Sequence, residues 1–189
     1  NLGTIALLEG DFAGYETLIE RVRELEDKEA QKLTTGMSGR AYIAAMRAPE
    51  GERQQAHRAA YAAQVNTLPY KVVEPQLKQA KGMAEMFSEN LLVGLMESKY
   101  QPMIDQTGGE VSKDVALSLL GAASTMRTFL PYKDNVVAVI GEYLAAHTVT
   151  KEDIWAEREA VFDGTERAKL VTIAVWDSGL DTQIPAMQK

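Results

Sequence analysis

The stretch Asp11-Phe-Ala-Gly-Tyr-Glu-Thr-Leu-Ile-Glu-Arg-Val-Arg-Glu-Leu25 sets the fold class of most of the chain. Phe12, Tyr15, Leu18, Ile19, Val22 and Leu25 recur at intervals of three and four. On a helix of 3.6 residues per turn they fall in one apolar stripe, with the charged residues opposite. Asp11 stands just before the stripe, where a carboxylate accepts hydrogen bonds from the first free amides of a helix. The spacing predicts one amphipathic helix from Asp11 to about Lys32.

The same grammar extends along the chain. Thr34–Gly39, rich in glycine and hydroxyls, reads as a break, and within it Gly36-Met-Ser38-Gly39 is a loop or helix cap. Its spacing is not that of a Gly-x-Ser-x-Gly nucleophile elbow. Ala41–Met46 resumes as a short helix until Pro49, and alanine-rich Glu50–Val65 is helical up to Asn66 and Pro69. After Pro75 a long helical stretch runs through Leu77, Met83, Met86, Leu91 and Leu95 toward Tyr100, with a break near Ser88. Its methionines read as gap-filling core residues. Thr107-Gly108-Gly109 stops it.

Ser112 caps a helix through Val115, Leu119 and Met126 that closes at Pro131. Asp134 opens another, with Val136, Val137, Ile140, Tyr143 and Leu144 on its buried side. Thr150 with Asp153 resembles a capping box at the start of a last helix, which reaches about Phe162 and ends at Asp163-Gly164. No internal repeat is present.

The period changes at Lys169-Leu-Val-Thr-Ile-Ala-Val-Trp176. This run is short, β-branched and apolar on both faces, which is the pattern of a buried strand in a parallel sheet. The expected fold is mainly α, a multi-helix region over residues 1–168 followed over 169–189 by the first strand of an incomplete α/β domain.

Composition limits the function classes. A net charge of −7 with no basic cluster repels a phosphate backbone, so nucleic acid is not an expected partner. No apolar run reaches the roughly 18 residues that span a bilayer, so a membrane is not expected either. The chain has no cysteine, which removes disulfides, thiolate metal sites and a cysteine nucleophile. No phosphate-binding glycine pattern, His-Glu-x-x-His or calcium-loop spacing occurs, and no cofactor or metal is expected. The two histidines, His57 and His147, read as exposed or partly satisfied surface groups.

The chemistry-bearing segment is Val171-Thr-Ile-Ala-Val-Trp-Asp177-Ser-Gly179-Leu-Asp181-Thr-Gln-Ile-Pro185. It places a carboxylate at the carboxyl end of a buried strand, the edge of a parallel sheet where reacting groups collect, and a glycine there lets the backbone turn. The order resembles the aspartate motif of the subtilase (subtilisin-like) family of serine proteases. On that resemblance Asp177 corresponds to the triad aspartate, Ser178 to the small hydroxyl residue after it and Gly179 to the turn glycine. Asp181 and Pro185 match the acidic residue and the proline further on. Trp176 departs from the usual aliphatic residue, and Ile184 from a common histidine.

The resemblance implies a serine endopeptidase acting on protein or peptide substrates, secreted or at the cell envelope. Asp177 would orient a catalytic histidine that the family places downstream in a His-Gly motif, with the nucleophile in a Gly-Thr-Ser motif. Neither occurs here, so the chain is expected to be the amino-terminal portion of such an enzyme, ending twelve residues past Asp177. Residues 1–168 then stand where the family has a propeptide, packing on its own catalytic domain, and the Asp163–Lys169 linker is where processing would cut. Three other readings stay open. Asp177 could only cap a turn. It could be the aspartate of a haloacid dehalogenase-like site, which needs a second aspartate where Gly179 stands. The chain could be a non-enzymatic helical interaction module with a terminal structural strand.

Overall fold

The computed structural model describes residues 1–147 and Thr172. The chain divides into one unit over Asn1–Val149 and another over Thr150–Lys189. Among the described residues the regular structure is helical. The expected helix from Thr150 to Phe162 lies outside them, as do the boundary near residue 168 and, Thr172 apart, the strand Lys169–Trp176.

Helix α1 (Leu2–Glu9) ends at Gly10, whose φ of 79° is open to glycine and whose amide returns to the carbonyls of Ala6 and Leu7. Helix α2 (Phe12–Leu25) starts as expected, with Asp11 Oδ1 accepting from the Gly14 amide at 2.9 Å. It stops sooner than the expected Lys32. Glu26 turns extended and α3 (Glu29–Thr34) is a separate helix. Glu24, Glu26 and Asp27 crowd negative charge onto the helix's carboxyl end, where the backbone dipole already opposes it. Burial fails at the same place, since Val22 is 47% and Leu25 66% exposed.

Helix α4 (Met37–Arg47) begins earlier than the break at Thr34–Gly39 suggested. Gly36 takes φ +82° as its amino-terminal cap, so Ser38 and Gly39 lie inside the first turn. Glycine at 39 is a packing requirement: a Cβ there would stand 1.9 Å from the Tyr15 hydroxyl oxygen. Tyr15 itself is buried and its hydroxyl donates to the Gly36 carbonyl at 3.4 Å. The close approach of α2 to α4 therefore depends on a missing side chain.

After a tight turn at Glu50–Glu52 come α5 (Arg53–Val65) and α6 (Tyr70–Met86). Helix α6 begins before Pro75 and runs through it. A proline there removes one backbone donor, yet Val73 and Leu77 on either side are buried in the same core at 0% and 2% exposure. Burial of both segments outweighs the lost bond. The break near Ser88 is present: Phe87 is extended and the Ser88 hydroxyl accepts from the Leu91 amide to start α7 (Glu89–Leu95).

A wide, π-type turn (Met96–Tyr100) leads into α8 (Gln101–Gln106), and Gly108 and Gly109, both at positive φ, end it. Helix α9 (Lys113–Ser124), capped by Ser112, passes into a second π-type turn (Thr125–Phe129) and a 3-10 turn (Leu130–Tyr132) before α10 (Lys133–Ala146).

The main core is built from α4, α5, α6 and α10, with Ala41, Val65, Val73 and Ile140 fully buried at its centre. Polar ties cross the same helices. The Tyr143 hydroxyl donates to the Leu68 carbonyl at 2.6 Å, the Arg58 guanidinium meets the Glu142 carboxylate at 2.6 Å, and Asn135 Nδ2 donates to the Gln54 carbonyl at 3.1 Å. A smaller core joins α1, α2 and α4 through Ala6, Leu7, Tyr15 and Ile43. The methionines of α6 are not core as expected: Met83 is 49% and Met86 74% exposed, whereas Met37 is buried at 3%.

Candidate functional site

Asp177, the one catalytic residue expected from the sequence, lies outside the described residues, together with Ser178, Gly179, Asp181 and Pro185. The described helices do place both histidines, Ser38 and four clefts of interest.

His57 departs from the surface position expected of it. It sits in α5 in phase with Tyr61 and Val65, four and eight residues on, and is 1% exposed. Its imidazole lies flat on the Tyr132 ring, with centroids 4.5 Å apart and planes 6° from parallel, and Tyr61 lies beyond at 6.1 Å and 13°. Tyr42 of α4 meets Tyr132 edge-on at 6.1 Å. The aromatic stack therefore pins the turn before α10 against α4 and α5. His57 Nδ1 is buried without a hydrogen-bond partner, and so is Arg53 Nε one helical turn earlier.

Burial in this apolar slot lowers the His57 pKa from 6.5 to about 4, so the ring is neutral near pH 7. Burial also raises the Tyr132 hydroxyl, against the opposing pull of Arg53, and pushes Tyr61 up to about 12. A neutral imidazole could take a proton. With 1% of its surface exposed, though, no substrate atom can approach it, and a general base must come within hydrogen-bond reach of the proton it removes. His57 acts as an aromatic spacer in the core.

His147 behaves as expected. It is exposed at the end of α10, its Nδ1 lies 2.8 Å from the Tyr143 carbonyl oxygen, and its ring stacks on Tyr70 at 5.1 Å. Ser38 lies in the first turn of α4, as a cap-region residue rather than an elbow nucleophile. No group of three or more metal-ligating side chains occurs among the described residues. No described helix is long and apolar enough to cross a membrane.

Arg40 gathers a polar cluster where α2, α4 and α5 approach. Its Nε donates to Gln64 Oε1 at 2.8 Å and its Nη2 to the Thr35 carbonyl at 3.1 Å. Its Nη1 is 3.8 Å from the Glu20 carboxylate, close enough for charge attraction but too far for a hydrogen bond. Arg23 binds the same Glu20 at 3.0 Å and the Lys32 carbonyl at 3.0 Å. A cleft of about 270 Å³ opens here, but its donors are turned onto the protein's own carbonyls and carboxylate, which makes it a strut between helices.

A larger cleft of about 460 Å³, lined by Leu2, Leu7, Leu18, Ile19 and Val22, is apolar and has no converging polar groups. A cleft of about 340 Å³ beside Met83, Phe87 and Thr128, and one of about 400 Å³ beside Ser88 and Lys133, likewise hold no nucleophile–base pair. The described residues thus form a helical scaffold. No family model matches this chain, and no curated protein and no solved structure matches it either.

Proposed function

We propose that the chain is the amino-terminal portion of a subtilisin-like serine endopeptidase, with Asp177 as the aspartate of its Asp/His/Ser triad. One observation carries the reading: the sequence from Val171 to Pro185, in which a β-branched apolar run ends on Asp177, then Ser178 and Gly179, with Asp181 and Pro185 following. A carboxylate fixed at a strand's end can accept the imidazole N–H of a histidine, hold its tautomer and stabilise the imidazolium that forms as the serine attacks. The burial of His57 is consistent with a base supplied from elsewhere in the polypeptide.

In this reading the helical unit precedes the catalytic domain as a propeptide. The test is direct. The gene is read past Lys189 for His-Gly and Gly-Thr-Ser motifs, and the full polypeptide is assayed for peptide hydrolysis with and without Asp177→Asn. The substitution should lower kcat by about four orders of magnitude through loss of histidine orientation. A near-wild-type rate refutes the assignment.

A second reading, a non-enzymatic helical interaction module, is favoured by the apolar side chains that α7 and α8 turn outward. Leu91, Leu95 and Met103 are 49%, 41% and 37% exposed. A stop codon within a few residues of Lys189 would favour it over the endopeptidase.

A further inference from the structure

Asp105 through Asp114 are all exposed, ten residues in succession and the longest such run among the described residues. At its centre, Thr107–Ser112 lies between the end of α8 and the start of α9. Gly108 and Gly109 hold φ of +65° and +94°, and a Cβ at either would meet nothing within 4 Å, so the turn is open on all sides. The bonds that shape it are local. The Gly109 amide donates to the Ile104 carbonyl at 2.9 Å, and the Thr107 hydroxyl reaches the carbonyls of Met103 and Glu110.

An endopeptidase that binds its substrate extended must draw several residues out of their native bonds, and the required opening is least costly where exposure is complete and bonding is local. The other breaks are shorter or better held. The Glu26–Lys28 break is tethered at its α3 side by Arg23 on the Lys32 carbonyl, and the Phe87–Ser88 break by Lys133 on the Phe87 carbonyl at 2.9 Å.

We propose that the Thr107–Ser112 turn is an internal endoproteolytic site. A bond between Asp105 and Asp114 is hydrolysed before any other in residues 1–147, with water adding across the peptide to leave a carboxylate and an amine. The cut leaves α1–α8 on one piece and α9–α10 on the other. The pieces stay together, because α10 buries Val136, Val139, Ile140 and Tyr143 against α5 and α6 and holds them with the Arg58–Glu142 and Tyr143–Leu68 bonds. Cleavage turns one covalent body into a two-piece complex whose persistence depends on concentration. The inference is independent of whether the chain belongs to a protease.

The test treats the full 189-residue chain under native conditions with a glutamate-specific endopeptidase and, separately, with subtilisin, each at a low ratio. Intact masses are followed in time and the products are run on size exclusion. The glutamate-specific enzyme should cut after Glu110 first, ahead of Glu26, Glu50, Glu52 and Glu97, and the first subtilisin cut within residues 1–147 should fall between Asp105 and Asp114. Both pieces should co-elute and separate only in denaturant. An earlier cut elsewhere in residues 1–147 by either enzyme overturns the site. Pieces that part without denaturant overturn the two-piece complex.

Discussion

Replacing His57 with phenylalanine should flatten the acid side of the stability profile. The imidazole is 1% exposed with its Nδ1 unpartnered, and burial lowers its pKa from 6.5 to about 4. Between those values the unfolded chain takes up a proton that the folded chain refuses, so falling pH favours unfolding. The contribution is small at pH 7. It reaches about 2 kcal/mol of lost stability at pH 5 and about 3 kcal/mol at pH 4, below which it levels off.

Phenylalanine keeps a flat ring against Tyr132 and has no proton to gain. Urea unfolding followed by circular dichroism at pH 7 and pH 5 gives the difference for each protein. The fall in wild-type stability should exceed that of His57→Phe by about 2 kcal/mol. Equal falls would falsify the buried, neutral histidine, and so would a His57 ring resonance that titrates at its ordinary value.

Two further outcomes follow from the packing of the helices. Gly39→Ala should destabilise the protein by about 1–3 kcal/mol in urea despite alanine's better helix propensity, because the new methyl collides with the buried Tyr15 ring; unchanged stability would show that Tyr15 can move aside. Ile140→Ala, at a fully buried position between α5 and α6, should cost about 2–5 kcal/mol, whereas Leu91→Ala on the exposed face of α7 should change stability by less than about 0.5 kcal/mol. Comparable losses at the two sites would mean that α7 is covered in solution.

The parts of the fold legible in the sequence are those governed by local chemistry. Asp11, Ser88 and Ser112 mark helix starts because their oxygens accept amides three residues on, a bond that spacing alone predicts. The buried side of α10 was legible for a similar reason, with Val136, Ile140 and Tyr143 one turn apart and all buried. What spacing could not show was which apolar residues find a partner. Val22, Leu25, Met83 and Met86 continue their stripes but face solvent, since burial depends on where other helices end.

Pro75 looked like a boundary because the local cost of proline is visible and the compensating burial of Val73 and Leu77 is not. His57 was misread for its alanine-rich surroundings. Its phase with Tyr61 and Val65 was the available signal, but Tyr132, which makes the slot, is distant in sequence. For the candidate site the sequence supplies Asp177 and its motif, and that expectation lies outside the described residues.

The π-type turn at Thr125–Phe129 sets the phase between α9 and the His57–Tyr132 stack. Deleting one residue there would restore a regular helix with its backbone bonds intact, yet rotate everything beyond by about 100°. Tyr132 would leave the imidazole, and the valines and isoleucine of α10 would point toward water. The length of those five residues is therefore constrained more tightly than their identity, and natural variants of this chain should tolerate exchanges there far better than indels.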